Sequence, residues 1–191
     1  MNTSSSSAIP AAARYNGLAI VLHWTLGLVL IGLFSLGVYM ADLPFSPQRL
    51  KLFNWHKWVG ILVLALSFLR LSWRLIRPAP ALPPGIAQAM PTWQRLAHHG
   101  THVALYLLFF AVPLLGWAYS SATGFSIVLF GVLPLPDFVG KDAALAKTLK
   151  EAHEIGAYLM ALFVLLHVVA ALKHQWLDRD GLIGRMWFGR S

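Results

Sequence analysis

Cysteine is absent from the 191-residue chain. Its absence excludes disulfides, iron–sulfur clusters, thiolate-ligated haem and the Cys-x-x-Cys-His attachment of c-type haem, and leaves histidine as the main metal-ligating side chain. Acidic residues are scarce: seven Asp and Glu stand against fifteen Lys and Arg, and charged residues of both signs make up only 12% of the chain. No paired-carboxylate or Ser-His-Asp arrangement is apparent, and Gly116, Gly124 and Gly131 do not form a phosphate-cradling loop between a strand and a helix. The formal charge is +8, but the basic residues lie at the ends of apolar runs rather than along a polar helix face, which argues against a nucleic-acid partner.

Apolar residues, by contrast, make up 58% of the chain, with a mean hydropathy of +0.64, well above the roughly 45–50% of soluble proteins. A water-soluble fold of this size has too little interior to hide them. A bilayer core about 30 Å thick accepts runs of roughly 20 such residues as spanning helices. Residues Met1 to Ala13 are rich in Ser and Ala and read as a disordered N-terminal tail, while residues 179–191 read as a C-terminal tail. Between them, residues 14–178 contain four apolar runs, from about Gly17 to Met40, Asn54 to Leu75, Trp93 to Tyr119 and Leu149 to Leu177. The first is too long for a signal-peptide core. Each is continuously apolar rather than alternating, so the predicted fold is an all-α integral membrane bundle of four transmembrane helices and not a barrel. Pro113 predicts a kink in the third span, and the Pro-rich stretch from Pro78 to Pro91 separates it from the second.

Four spans put both termini on one side. Arg14, Arg70, Arg74, Arg77, Arg95, Lys173, Arg179, Arg185 and Arg190 gather there against only Asp178 and Asp180. On the other side Arg49, Lys51, Lys57, Lys141, Lys147 and Lys150 are nearly balanced by Asp42, Asp137, Asp142, Glu151 and Glu154. Because Lys- and Arg-rich short loops stay inside, both termini are expected in the cytoplasm. Trp55, Trp58, Trp73, Trp93 and Trp176 stand near span ends, as interfacial anchors should.

Eight histidines in so apolar a chain require an explanation, since polar side chains inside a bilayer are costly and mark function by default. A single one is readily explained as an inter-helix hydrogen bond; five within or at the mouths of spans are not. Depth sorts them. His23 in the first span and His167 in the fourth fall in the cytoplasmic half, while His56 opens the second span and His153 the membrane part of the fourth. His153 and His167 are 14 residues apart, which places them within about 40° on one helix face and about 21 Å apart along the axis. That suits two flat cofactors stacked at two depths, each iron gripped by two imidazoles, and suits zinc poorly, because zinc needs three or four converging ligands. His102 also lies in the cytoplasmic half. Depth alone leaves it and His167 as alternatives for the second inner ligand, and continuity with the His153 face favours His167.

Arg70 and Arg74 close the second span where the carboxylates of an inner haem would emerge, so bidentate pairing with propionates is expected beside the simpler reading of helix-end anchoring. Glu154 reads as a helix N-terminal charge or a propionate-side neighbour. His174 lies at the cytoplasmic interface beside Lys173, where an imidazole with an ordinary pKa of about 6.5 suits proton exchange. His98 and His99 read as interfacial residues.

Taken together, the His23-Trp24 pair, His56 and Arg70 at the two ends of the second span, the segment LAHHGTHVALYLLFFAVPLLG from Leu96 to Gly116, and the run from His153-Glu154 through His167 to His174 resemble the bacterial cytochrome b561 group, which includes a superoxide:quinone oxidoreductase type. The resemblance covers nearly the whole chain after the Ser-rich tail. It implies a four-helix inner-membrane protein with two b haems per chain and a quinone site near the cytoplasmic haem. By the same resemblance His23, His56, His153 and His167 would be axial ligands, and His102, His174 and Lys173 would belong to the quinone region. Two haems can hold the two electrons that ubiquinone needs, and Lys57, Arg49 and Lys51, with Lys141, Lys147 and Lys150, would steer anionic superoxide to the outer haem. An electron-transfer subunit docked to a separate dehydrogenase or other periplasmic redox partner would use the same charges as a docking rim. A haem-free transporter is the reading from another class, and it predicts no Soret absorption.

Overall fold

The computed structural model describes residues 14–188 and places in them four helices long and apolar enough to cross a membrane. Helices α1 (Gly17–Ala41) and α2 (Pro47–Ile76) form one hairpin. After a short helix, α3 (Pro84–Ala89), helices α4 (Thr92–Thr123) and α5 (Ala143–Lys173) form a second. Between α4 and α5 lies a two-stranded ribbon, β1 (Val128–Leu129) and β2 (Leu133–Pro134), and α5 continues through a π-helical turn, His174–Asp178, to a 3-10 turn, Leu182–Met186. The end of the bundle carrying residues 14 and 188 is here the terminal end; the opposite end, with residues 42–46 and 124–142, is the loop end.

Capping, rather than hydropathy, sets the helix boundaries. Helix α2 begins at Pro47, two turns before its apolar run, because Ser46 Oγ accepts from Arg49 N and proline at N1 needs no amide partner. Helix α5 begins at Ala143 because Asp142 Oδ1 accepts from Leu145 N at 2.9 Å. Arg49, Lys51 and Lys147, which precede the predicted apolar runs, therefore ride on the first turns of helices. Helix α4 passes through Pro113 and ends at Gly124, whose left-handed φ of 78° lets its amide reach Ser120 O and Ser121 O.

The buried core is small and lies mid-bundle, where Leu26 and Leu30 of α1, Val63 of α2, Val112 of α4 and Met160 of α5 meet. Gly156 of α5 admits Val112: a Cβ there would lie 3.0 Å from Val112 Cγ2. Large apolar side chains such as Leu28, Phe68, Leu107 and Leu165 point outward, as expected where lipid is the solvent. Helices α4 and α5 pack extensively, as do α1 with α2 and α2 with α4, but α1 and α5 touch little. The two hairpins are thus joined mainly through α2 and α4 and through the shared core.

The segment after α5 folds back over the terminal end. Arg185 is buried and donates to Pro80 O and Ala81 O, both at 2.8 Å. Trp24 Nε1 donates to Met186 O at 2.8 Å, and the Trp24 and Trp187 rings meet edge to face. The predicted disordered tail, Met1 to Ala13, and Arg190 lie outside the described residues.

Candidate functional site

At the loop end, His56 projects from α2 and His153 from α5, with ring centroids 6.1 Å apart. Each ring occupies a notch left by a glycine. A Cβ on Gly37 of α1 would lie 3.3 Å from His56 Cε1, and one on Gly116 of α4 would lie 3.0 Å from His153 Cε1 and 3.1 Å from its Nδ1. His153 Nδ1 is 2.9 Å from Val112 O. Since a carbonyl only accepts, Nδ1 carries the proton and Nε2 keeps its lone pair, the tautomer of a metal-ligating histidine. His56 Nδ1 and Trp117 Nε1 are buried and have no hydrogen-bond partner among the described residues, an expensive condition for protein alone.

At the terminal end, His167 of α5 stands between His23 of α1 and His102 of α4, with ring centroids at 5.9 Å and 5.3 Å respectively. Arg70 Nη2 lies 3.3 Å from His23 Nδ1, and Arg70 Nη1 donates to Ala19 O. His102 Nδ1 donates to His98 O at 2.7 Å, and the His98 ring lies 4.4 Å from that of His102. Further out, His174 Nδ1 is 2.5 Å from Asp180 Oδ2 and 3.2 Å from Asp178 Oδ2, and Lys173 pairs with Asp178 at 2.5 Å. Gln94 Nε2 faces His174 Nε2 at 3.4 Å.

The expected histidines are therefore brought together at two levels. His102 joins the inner group through His167, and His98, expected at the interface, is exposed and lies tilted against the outer side of the His102 ring. Among the described residues, three metal-ligating atoms converge only at His174, Asp178 and Asp180, and there the imidazole and carboxylates sit at hydrogen-bond distance, as in a proton-sharing pair. The three inner imidazoles do not converge on a point, which disfavours zinc. Two imidazoles facing each other across one metal, with metal–nitrogen bonds of about 2 Å and half-rings of about 1 Å, place their centroids about 6 Å apart. The His56–His153 and His23–His167 pairs match that span, so the residues present fit bis-histidine haem.

Lys57 does not extend freely into solvent. It is half-buried, and its Nζ donates to Phe125 O at 3.0 Å, while Trp58 Nε1 donates to Val128 O. The third and fourth turns of α2 are thus clipped to β1 and the loop before it. Arg49 lies over the Phe53 ring and Lys51 over the Trp55 ring. Arg74 lies over the Tyr15 ring. Sequence reasoning missed Gly37, Gly116, Trp117 and the Val112 carbonyl; for the glycines, the available signal was their position within spans that otherwise favour larger residues.

Residues 14–189 match the family described as prokaryotic cytochrome b561. The chain belongs to that family. Cytochrome b561 homolog 2 of Escherichia coli strain K12 is 32% identical over 179 residues, covering 93% of each chain. A protein of Yersinia pestis named probable superoxide oxidase CybB is 32% identical over 177 residues, 91% of this chain and 95% of its own. Cytochrome b561 homolog 1 of Escherichia coli strain K12 is also 32% identical, over 91% of this chain and 96% of its own. As a prokaryotic cytochrome b561, this is a bacterial membrane electron-transfer protein whose cofactor is b-type haem.

Proposed function

We propose that this cytochrome holds two b haems, one between His56 and His153 and one between His23 and His167, and acts as a superoxide:ubiquinone oxidoreductase. In this reading it takes electrons from superoxide at the loop end, facing the periplasm, and delivers them to ubiquinone at the terminal end, facing the cytoplasm of a bacterial inner membrane. The observation that carries the reading is two imidazole pairs, each with the centroid separation of a bis-histidine iron, at opposite ends of α5. The haems would supply one-electron storage, two equivalents in all, and the chain's own residues would do the rest.

Val112 O fixes the His153 tautomer, and Gly37 and Gly116 set the height of both loop-end rings. The unpartnered Trp117 N–H offers a donor to a cofactor acceptor. At the terminal end, Arg70 and Arg74 would pair with propionates. His102, His174 and Lys173 form the quinone region, with His174 taking protons from the surface through Asp180 and Asp178. The Lys57 charge, held one residue from His56 by Phe125 O, raises the local potential that attracts an anion.

Superoxide is favoured as donor by the probable superoxide oxidase among the relatives. Stopped-flow mixing of the purified haem-loaded protein with superoxide, followed by ubiquinone, tests the reading. Fast haem reduction by superoxide and reoxidation by quinone are expected. Haem that superoxide leaves oxidised, but a periplasmic dehydrogenase reduces, would replace superoxide with a docked redox partner.

A further inference from the structure

At the loop end, the chain between α4 and α5 forms an apolar ribbon. From residue 125 to residue 136 no side chain is charged and only Ser126 is polar. Ile127 is buried and roots the ribbon, its carbonyl accepting from Leu135 N at 2.8 Å. The turn between β1 and β2 is the reverse: Phe130 is 56% exposed and Val132 80% exposed. Phe130 and Gly131 both take left-handed φ, 53° and 76°, and Val132 N donates to Leu129 O at 3.1 Å. Tight hairpin turns with φ of this sign favour Asn, Asp or Gly, and positive φ is a costly conformation for a bulky side chain. An aromatic ring followed by valine, against both backbone preference and exposure, is favoured only where the turn leaves water.

The ribbon's height shows what covers it. Helix α2 starts at Pro47, but its apolar run starts near Asn54, about 10 Å further along the axis. The ribbon is fastened to the head of that run and not to the turns projecting beyond it: Lys57 Nζ donates to Phe125 O at 3.0 Å, Trp58 Nε1 donates to Val128 O at 2.7 Å, and the Phe130 and Trp58 ring centroids are 5.6 Å apart. Trp58 stands where an interfacial indole anchors a span. Trp55 and Leu62, exposed at i−3 and i+4 on the same face of α2, carry the lipid-facing surface up to it. We propose that this ribbon is a lipid-binding element, with Phe130 and Val132 inserted at the boundary between headgroups and acyl chains of the loop-side leaflet, as the apolar face of an interfacial segment is. Asp137, Lys141 and Asp142, which follow, stay on the water side. A soluble redox partner is the poorer occupant, because the ribbon has no charge to steer or register one. The inference concerns how the protein is seated in the bilayer and does not rest on the choice of electron donor or acceptor.

The chain has no cysteine, so single thiols report cleanly. The haem-loaded protein in phospholipid nanodiscs is compared as V132C, as G140C in the exposed loop and as L28C on the lipid-facing surface of α1. Labelling by a water-soluble maleimide should be about tenfold slower for V132C than for G140C and close to that of L28C, since apolar surroundings raise a thiol's pKa and deplete its thiolate. In a second variant, Phe130→p-benzoylphenylalanine, illumination should add the mass of one phospholipid, because benzophenone couples to the C–H bonds it touches. Labelling of V132C as fast as G140C, or a benzophenone that couples to protein or to no lipid, would overturn the proposal.

Discussion

At the loop end one pair of imidazoles sits in two glycine notches, with one tautomer pinned by Val112 O and two buried polar atoms left unpartnered. At the terminal end three imidazoles, an arginine and a chain of surface hydrogen bonds crowd together, and the polypeptide itself closes over them through Trp24, Arg185 and Trp187. The first arrangement fixes two rings with few polar partners, whereas the second ties its rings to charge and to the surface. Under the proposed function, a donor that brings no proton would need only the first kind of end, while a quinone, which takes up protons with its electrons, would need the second.

The comparison breaks most visibly if the histidines of each level are removed separately. His153→Ala is expected to abolish the loop-end haem and His23→Ala the terminal-end haem, each lowering haem content from about two to about one per chain, measured by pyridine haemochrome assay. Equal and complete haem loss in both would mean that the levels are not independent.

A subtler change sharpens it. Gly116→Ala places a methyl 3.0 Å from His153 Cε1, so the ring must shift and its bond to Val112 O lengthen. Loop-end haem affinity should fall by about 10–100-fold while the terminal-end haem stays, as read by titrating haem into the apoprotein. Gly37→Ala, with its 3.3 Å approach to His56, should show a smaller loss.

Closure of the terminal end is tested by Arg185→Met, which strips the donors from Pro80 O and Ala81 O. A loss of about 1–3 kcal/mol is expected from the carbonyls left unpaired, seen as a lower midpoint in thermal unfolding. The loop-end haem spectrum should not change.

The smallest effect lies in the loop between α4 and α5. Ser126 Oγ donates to Asp137 Oδ2 at 2.5 Å, and this bond holds the Asp137 carboxyl below the usual carboxylate range. A folded value below the unfolded one means the contribution is present above the unfolded pKa and fades as pH falls through the folded one. Ser126→Ala should raise the Asp137 pKa, measurable by NMR titration, and leave both haem levels intact.

Spans, their number and the two depths of histidine were legible from the chain because each rests on a one-dimensional property: apolar run length or helical periodicity. His153 and His167 share a helix, so their relation needed no tertiary knowledge. The notches did not have that advantage. Gly37 and His56, or Gly116 and His153, belong to different helices, and only the way α1 packs on α2 and α4 on α5 shows which small residue faces which ring. Helix starts were misplaced for a related reason: Ser46 and Asp142 fix them through local hydrogen bonds that an apolar-run reading does not weigh.

Composition by itself determined that this protein spans a membrane as a helical bundle, because so much apolar surface has no place in water, and the absence of cysteine left histidine as the main candidate metal ligand. Packing decided what a linear reading could not: that His102 joins His167, that Lys57 is clipped by Phe125 O, and that four arginines share one cavity. Such contacts join side chains from different helices, and helix rotation and tilt, set by the whole bundle, decide whether they meet.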